Sequence, residues 1–180
     1  MVKDTSAESI HIRSILLLKR YFENYNQNGL KYQGKYYEND SHGSVPLITE
    51  YDAIRFFFNY YNLKLSIKDY SNTSSQLVGK FEKHFSNVSK QMGYKVKPSE
   101  NLLKRMGYQA LTSKQYKKAS SFFKYNISNY PESYNVYESM GDYYETIGDI
   151  QNAIIYFEKA FSIKENTDTR KKIEKLKLLN

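Results

Sequence analysis

The sequence predicts a mainly α-helical protein whose C-terminal half is a stack of paired helices. Three observations lead to this prediction. The chain of 180 residues contains only 3 prolines and 8 glycines, which suits helices joined by short connections. After position 100, a pattern of glycine, alanine and aromatic residues recurs with a period of about 34 residues. Outside that repeat, apolar residues recur at helical spacing over 12–22 and 77–92.

The composition excludes several kinds of protein. The chain is 40% hydrophobic and 26% charged, as soluble globular proteins are, and no apolar run approaches the roughly 18 residues of a membrane span. We expect no export signal in its polar N-terminus. Because there is no cysteine, disulfides and cysteine-ligated zinc are excluded, while the compartment stays undetermined. The net charge is +8, but the lysines are spread along the chain, so we expect neither nucleic acid nor a membrane as partner.

Residues 1–62 predict a helix, a strand, a loop and a second helix. Thr5-Ser-Ala-Glu8 is typical of a capping box that opens an amphipathic helix. Residues 30–38, LKYQGKYYE, are rich in tyrosine, which predicts a strand. A turn-rich loop follows, and after it we expect a helix from Leu47 to about Tyr61. One strand cannot form a sheet, so this segment requires a partner.

Residues 63–97 predict a linker and a packing helix. The polar residues 72–75 mark a boundary, and a helix over 76–92 is expected to pack against the first repeat. Its apolar positions have helical spacing: Leu77, Phe81, Phe85, Val88 and Met92.

Residues 98–180 contain two copies of the repeated pattern. Met106-Gly107 recurs as Met140-Gly141, and Ala119 and Phe123 recur as Ala153 and Phe157. The pattern resembles the tetratricopeptide repeat (TPR), a helix–turn–helix unit in which small residues let two helices cross closely. The first copy departs from the family at Ala110, Lys114 and Asn126, where the family usually has an aromatic residue, a glycine and an alanine.

The repeat predicts five antiparallel helices over 98–180, with Gly107 and Gly141 at close helix crossings. Two copies are fewer than the three or so that bury a continuous stack, so something must cover its ends. We expect a capping helix over 166–179, with apolar positions at Ile173, Leu176, Leu178 and Leu179.

Residues 31–58, KYQGKYYENDSHGSVPLITEYDAIRFFF, resemble the C-terminal end of a bacterial serine esterase of the enterochelin-esterase-like branch of the α/β-hydrolase superfamily. Some members of that branch carry TPR tails, and residues 84–111 look like the link that joins the two parts. The resemblance implies that His42 occupies the position of the catalytic-triad histidine of a parent enzyme. The complete prediction is a TPR-like α–α superhelix of two repeats plus capping helices, preceded by a helix–strand–helix remnant of an α/β-hydrolase C-terminus.

We expect this chain alone not to be an enzyme. A serine hydrolase requires a nucleophile elbow, usually G-x-S-x-G, ahead of its histidine, and none of the glycines begins that motif. An exposed loop histidine without a role is the alternative for His42. His11 and His84 are expected to be structural. The three histidines have no metal-ligand spacing, so neither a metal nor a cofactor is expected.

The TPR resemblance implies a binding groove lined by the first helix of each repeat. The groove positions are Asn101, Lys104, Tyr108, Leu111 and Thr112, then Asn135, Glu138, Asp142, Glu145 and Thr146. Glu138, Asp142 and Glu145 recur at i, i+4 and i+7, which predicts an acidic stripe and a cationic partner whose binding weakens with salt. A solvated helix face is the alternative. The lysine and asparagine clamp of chaperone-binding relatives is not reproduced.

Two functions follow from these patterns. The first is a non-catalytic C-terminal module of an esterase-like hydrolase, whose repeats contact another protein, a peptide segment or the missing hydrolase domain. The alternative is a free-standing TPR adaptor that forms a homo-oligomer through the strand at 30–38, because an exposed strand is a template for pairing.

Overall fold

The computed structural model describes residues 7–25, 29–37, 39–41, 43–71 and 76–178, and the chain divides into two compact units, 1–59 and 60–180. The described residues contain nine α-helices, one 3₁₀ turn and no strand. The predicted mainly α-helical class is therefore confirmed. No helix in this part of the chain is both long enough and apolar enough to cross a bilayer.

The first unit contains helices α1 (Ala7–Asn24) and α2 (Val45–Phe57), and a 3₁₀ turn, Asn59–Tyr61, follows α2. The predicted strand, and with it the helix–strand–helix remnant, is wrong, since residues 30–37 have no strand structure. A strand needs a neighbour to accept its backbone hydrogen bonds, and the described residues supply none. The segment is attached through side chains instead, because Lys35 and Tyr37 both donate to Asp52 of α2. Thr5 and His42 lie outside the described residues.

The first unit has no hydrophobic core of its own among its described residues. No described side chain between positions 10 and 59 is buried. Large apolar side chains of α1 and α2 are open to solvent instead, with Leu17 and Phe57 each 65% exposed and Ile15 54% exposed. All buried side chains among the described residues belong to the second unit.

The second unit begins with α3 (Ile67–Ser71) and α4 (Gln76–Met92). The predicted packing helix over 76–92 is confirmed, and its Leu77, Phe81 and Val88 are buried. Five helices follow: α5 (Glu100–Thr112), α6 (Tyr116–Asn129), α7 (Tyr134–Thr146), α8 (Ile150–Ile163) and α9 (Thr167–Lys177). They match the five helices predicted for 98–180.

The repeat helices form antiparallel pairs with glycine at each crossing. In the first pair, the amide Nδ2 of Asn126 at the end of α6 donates to the carbonyl of Glu100 at the start of α5 (3.2 Å). A Cβ on Gly107 would collide with the ring of Phe123. In the second pair, a Cβ on Gly141 would lie 2.6 Å from the ring of Phe157. Both predicted close crossings are confirmed.

The first copy retains the turn geometry of the second despite its different residues. Gly148 joins α7 to α8 with φ of 80°, in the left-handed region that favours glycine. Lys114, at the equivalent position of the first copy, has φ of 57° and is the only described residue other than glycine with positive φ. Asn126 replaces the small Ala160 of the second copy and is buried, and its Oδ1 has no hydrogen-bond partner among the described residues.

The predicted capping helix is present as α9. Ile173 and Leu176 are buried against Ala153 and Phe157. Leu178 is 88% exposed, so its predicted core role is wrong. It follows Leu176 by two residues, which is about 200° around a helix and turns its side chain away from the core. Leu179 lies outside the described residues.

Candidate functional site

The first helices of the repeats, α5 and α7, and the capping helix α9 lie side by side and run in the same direction. The hydroxyl of Tyr108 on α5 donates to Asp142 Oδ2 on α7 (2.5 Å). Lys172 Nζ on α9 donates to Asp142 Oδ1 (2.5 Å). One face therefore crosses three helices, and we call it the first-helix face. The structure brings Tyr108 and Asp142 of the predicted site into direct contact there.

The predicted acidic stripe is on this face, but it is not free. Thr169 Oγ1 donates to Glu138 (2.7 Å), and Lys175 lies 3.8 Å from Glu145. Lys172 is paired with Asp142, as described above. Each of the three carboxylates therefore has a partner on α9. A cationic ligand would have to compete with these partners, two of which are lysines, so the electrostatic preference for a cation is weaker than the sequence alone predicts.

Sequence analysis missed these pairings because the partners on α9 lie far along the chain from the carboxylates of α7. The repeat itself carried the signal. Treating α9 as the first helix of a third copy would have placed Lys172 and Lys175 beside those carboxylates. Because of these pairings, changing Glu138, Asp142 and Glu145 together to Gln would weaken the attachment of α9 as well as any binding on this face.

Tyr108 is a fixed hydrogen-bond donor. Burial raises its pKa well above the ordinary value, and the hydrogen bond to Asp142 adds to the shift. The phenol therefore stays protonated and keeps its bond to the carboxylate at physiological pH. Its ring also meets that of Phe123 edge-on, with centroids 5.3 Å apart. The chain Tyr108–Asp142–Lys172 thus links three helices across the face.

Of the other predicted groove residues, Thr112 is exposed, and Thr146 is exposed and donates its hydroxyl to the backbone carbonyl of Asp142 (2.7 Å). Three further predicted residues are open polar groups of the face. Lys104 and Asn135 are half-buried and Asn101 is exposed, and their side chains make no hydrogen bond or ion pair within the described part of the chain. An asparagine amide can donate and accept at once, as an extended peptide backbone requires. Leu111, also predicted to line the groove, is only 7% exposed and belongs to the core, so it is not available to a ligand.

A second polar cluster lies in the first unit and was not predicted. Asp52 Oδ2 accepts from Lys35 Nζ (2.6 Å) and from the Tyr37 hydroxyl (2.7 Å) beside a cavity of about 420 Å³, which aromatic residues including Tyr32 and Phe56 also line. The hydrogen bond from Lys35 lowers the pKa of Asp52, so the carboxylate is ionised and already paired at neutral pH. Such a group is a structural anchor rather than a general base.

Nothing in the described residues forms a metal centre, since they contain no group of three potential metal-ligating side chains. His84 is half-buried on α4, and burial lowers its pKa. The assignment of His42 to a catalytic triad stays a prediction.

Comparison with known proteins identifies the second copy. Residues 134–167 match the family model of the tetratricopeptide repeat. No curated protein and no solved structure matches the chain. The match spans α7, α8 and the first residue of α9, and the glycine–phenylalanine crossing of the first copy has the same geometry. The second unit therefore contains TPR-like helical repeats, which suggests a protein–protein interaction module.

Proposed function

We propose that the second unit binds an extended segment of a partner protein on the first-helix face. The observation that supports this proposal is the set of unpartnered polar side chains, Asn101, Lys104 and Asn135, in the described part of a face whose three helices are linked by the Tyr108–Asp142–Lys172 chain. A face whose helices are already linked loses less conformational entropy on binding than one whose helices are free, so more of the hydrogen-bond energy of its amides contributes to affinity.

The chemistry of the face favours a segment with accessible backbone groups. Asn101 and Asn135 can each pair with a backbone N–H and C=O of the ligand. Lys104 favours a carboxylate beside it. The carboxylates of α7 are occupied by α9, so basic side chains on the ligand are not required.

Selection from a random displayed-peptide library against the full chain tests this proposal. Recovered peptides should bind Asn135→Ala and Lys104→Ala at least about fivefold more weakly. Asn135→Ala loses up to two neutral hydrogen bonds of roughly 1 kcal/mol each, and Lys104→Ala loses one to a charged group. Ser128→Ala, on α6, is the matched control and should bind as the unmodified chain does. Equal affinity for all three variants would refute binding on the first-helix face.

A second proposed function concerns the first unit, which we infer to pack against another protein surface. The supporting observation is that no described side chain of 10–59 is buried while apolar residues of α1 and α2 are exposed. The sequence resemblance of 31–58 favours an esterase domain as that partner. A second copy of the chain is the other candidate. Pairing through a strand at 30–38 is no longer its basis, because the described residues contain no strand, so the two copies would pack through the exposed apolar side chains of α1 and α2.

Sedimentation velocity separates the two candidates. If the chain sediments as a monomer at every concentration, a second copy is not the partner. If it forms a concentration-dependent dimer that Leu17→Glu abolishes, the first unit pairs with a second copy and no esterase partner is required. An esterase association predicts a G-x-S-x-G reading frame adjoining this gene. We also propose that the chain alone does not hydrolyse esters, and turnover of a p-nitrophenyl ester above a heat-denatured control would contradict this.

A further inference from the structure

The positive charge of the protein is concentrated in one part of the second unit. The first unit has seven basic and seven acidic residues, so the whole net charge of +8 belongs to the second. Within that unit, residues 60–130 contain 13 basic and 3 acidic residues, whereas residues 131–180 contain 7 basic and 9 acidic residues. Lysines occur along the whole chain, as described above, but the excess of positive over negative charge is confined to residues 60–130. Residues 60–130 have a net charge of +10.

Part of this charge is displayed by two neighbouring helices. Helices α4 and α6 pack together through Phe81 and Phe122, whose ring centroids are 5.6 Å apart. Each helix exposes two lysines seven residues apart. The pair on α6 follows the pair on α4 by 34 residues, the period of the repeat, so the two pairs occupy equivalent positions on neighbouring helices. These four residues, which we call the basic surface, are Lys83 and Lys90 on α4 and Lys117 and Lys124 on α6.

The basic surface has no counter-charge bound to it within the described residues. None of its four lysines forms an ion pair there. Lys80, one turn before Lys83 on α4, is by contrast bound to Asp69. On α9, Lys172, Lys175 and Lys177 all have carboxylate partners, so paired lysines are common elsewhere in the unit.

We propose that the basic surface binds an acidic segment of a partner protein, at a site separate from the first-helix face. One turn from its lysines lie small polar residues, of which Ser86 and Asn87 are exposed and Ser121 is half-buried. A membrane-binding helix would present apolar residues to the bilayer. A single-stranded nucleic acid would need aromatic side chains for stacking, and specific base contacts use arginine. Within α4 and α6, no aromatic residue and no arginine lies one turn from any of the four lysines.

The spacing of the lysines defines the ligand further. Seven residues of helix span about 10.5 Å. In an extended polyproline II segment, which has three residues per turn, carboxylates three residues apart lie on one face and are separated by about 9 Å. An extended segment with Asp or Glu at every third position therefore matches the two lysines on each helix, and a rigid helical stripe requires no rearrangement to accept it.

The test uses a fluorescent peptide with Glu at every third position and Ser between, titrated with the full chain. Binding should be detectable at about 50 mM salt and fall steeply by about 200 mM, because exposed charges are screened. The variant Lys83→Gln/Lys90→Gln/Lys117→Gln/Lys124→Gln should bind at least about tenfold more weakly, the combined effect of four ordinary surface ion pairs. Its melting temperature should match that of the unmodified chain, since all four positions are exposed.

The matched control is a variant that removes the same amount of positive charge from residues 131–180. Its four changes are Lys159→Gln, Lys164→Gln, Lys171→Gln and Lys177→Gln. It should retain the peptide affinity to within about threefold, since long-range attraction alone is screened in salt. An equal loss in both variants would mean that net charge, and not this surface, attracts the peptide, and would overturn the proposal. So would the absence of binding, or tighter binding to a DNA duplex of similar charge or to phosphatidylserine vesicles.

Discussion

The close crossing of α7 and α8 makes Gly141→Ala a sensitive test of the repeat. The added Cβ would lie 2.6 Å from Cδ1 and Cε1 of Phe157 and 2.9 Å from its Cγ. The ring is fully buried and cannot move aside without disturbing the core. Because the clash is with a buried ring, the cost should lie in the upper part of the overpacking range, about 2–3 kcal/mol. Alanine regains about 1 kcal/mol through its better helix propensity, so the net loss of stability should be about 1–2 kcal/mol.

The assay is unfolding by heat or urea, followed by circular dichroism. A loss of about 1–2 kcal/mol corresponds to a decrease in melting temperature of about 4–8 °C for a unit of this size. Gly79→Ala is the matched control, since Gly79 is on α4 with nothing within 4 Å of an added Cβ. That change should stabilise the protein by about 1 kcal/mol through helix propensity alone.

The two substitutions should therefore move the melting temperature in opposite directions. In a Phe157→Leu background, where the ring is gone, the penalty of Gly141→Ala should shrink, because the two effects share one contact. If Gly141→Ala stabilised the protein as much as Gly79→Ala, the close crossing would be disproved.

Four further changes test other features by the same unfolding assays. Lys114→Gly should stabilise the protein by about 0.5–1 kcal/mol, because glycine relieves the left-handed backbone; a loss of stability would contradict this. Asn126→Ala should change stability by less than about 1 kcal/mol, since it removes an unpaired buried oxygen together with one hydrogen bond. Tyr108→Phe should cost about 1.5–3 kcal/mol, because Asp142 loses a hydrogen bond to its charge; a neutral result would refute the role of the phenol. Burial lowers the pKa of His84 below its ordinary value of 6.5, so the unfolded chain binds protons more readily. Stability should therefore fall as the pH drops through about 6.5, and less so in His84→Gln.

The repeat was predictable because its determinants are local and periodic. Gly107 and Phe123 meet within one helical hairpin, and the same pair recurs in the next hairpin as Gly141 and Phe157. The capping helix was predicted from its apolar positions and from the need to cover the end of the stack. What the sequence did not reveal was the pairing across helices, such as Lys172 with Asp142, because it depends on how two hairpins are placed relative to each other.

The strand prediction failed for a different reason. β-propensity describes how well a residue fits a sheet, and it has no consequence where no neighbouring strand exists. Residues 30–37 are rich in tyrosine, but the side chains of Lys35 and Tyr37 donate hydrogen bonds to one carboxylate, that of Asp52 on α2. No pattern in the sequence singles out that aspartate.

The parallel stacking of α5, α7 and α9 has a consequence for how this protein can evolve. Asp142 on α7 accepts from Tyr108 on α5 on one side and from Lys172 on α9 on the other, and Tyr108 stands 34 residues earlier, at the equivalent position of the first copy. An in-frame duplication of residues 134–167 would repeat the glycine–phenylalanine crossing within the added unit, but it would also place a second aspartate beside Asp142. Because like charges repel, the added unit would contribute its full interface energy only after one of the two carboxylates was replaced by a donor. Unequal recombination within the gene could lengthen the array one whole repeat at a time, while α9 continued to close its end.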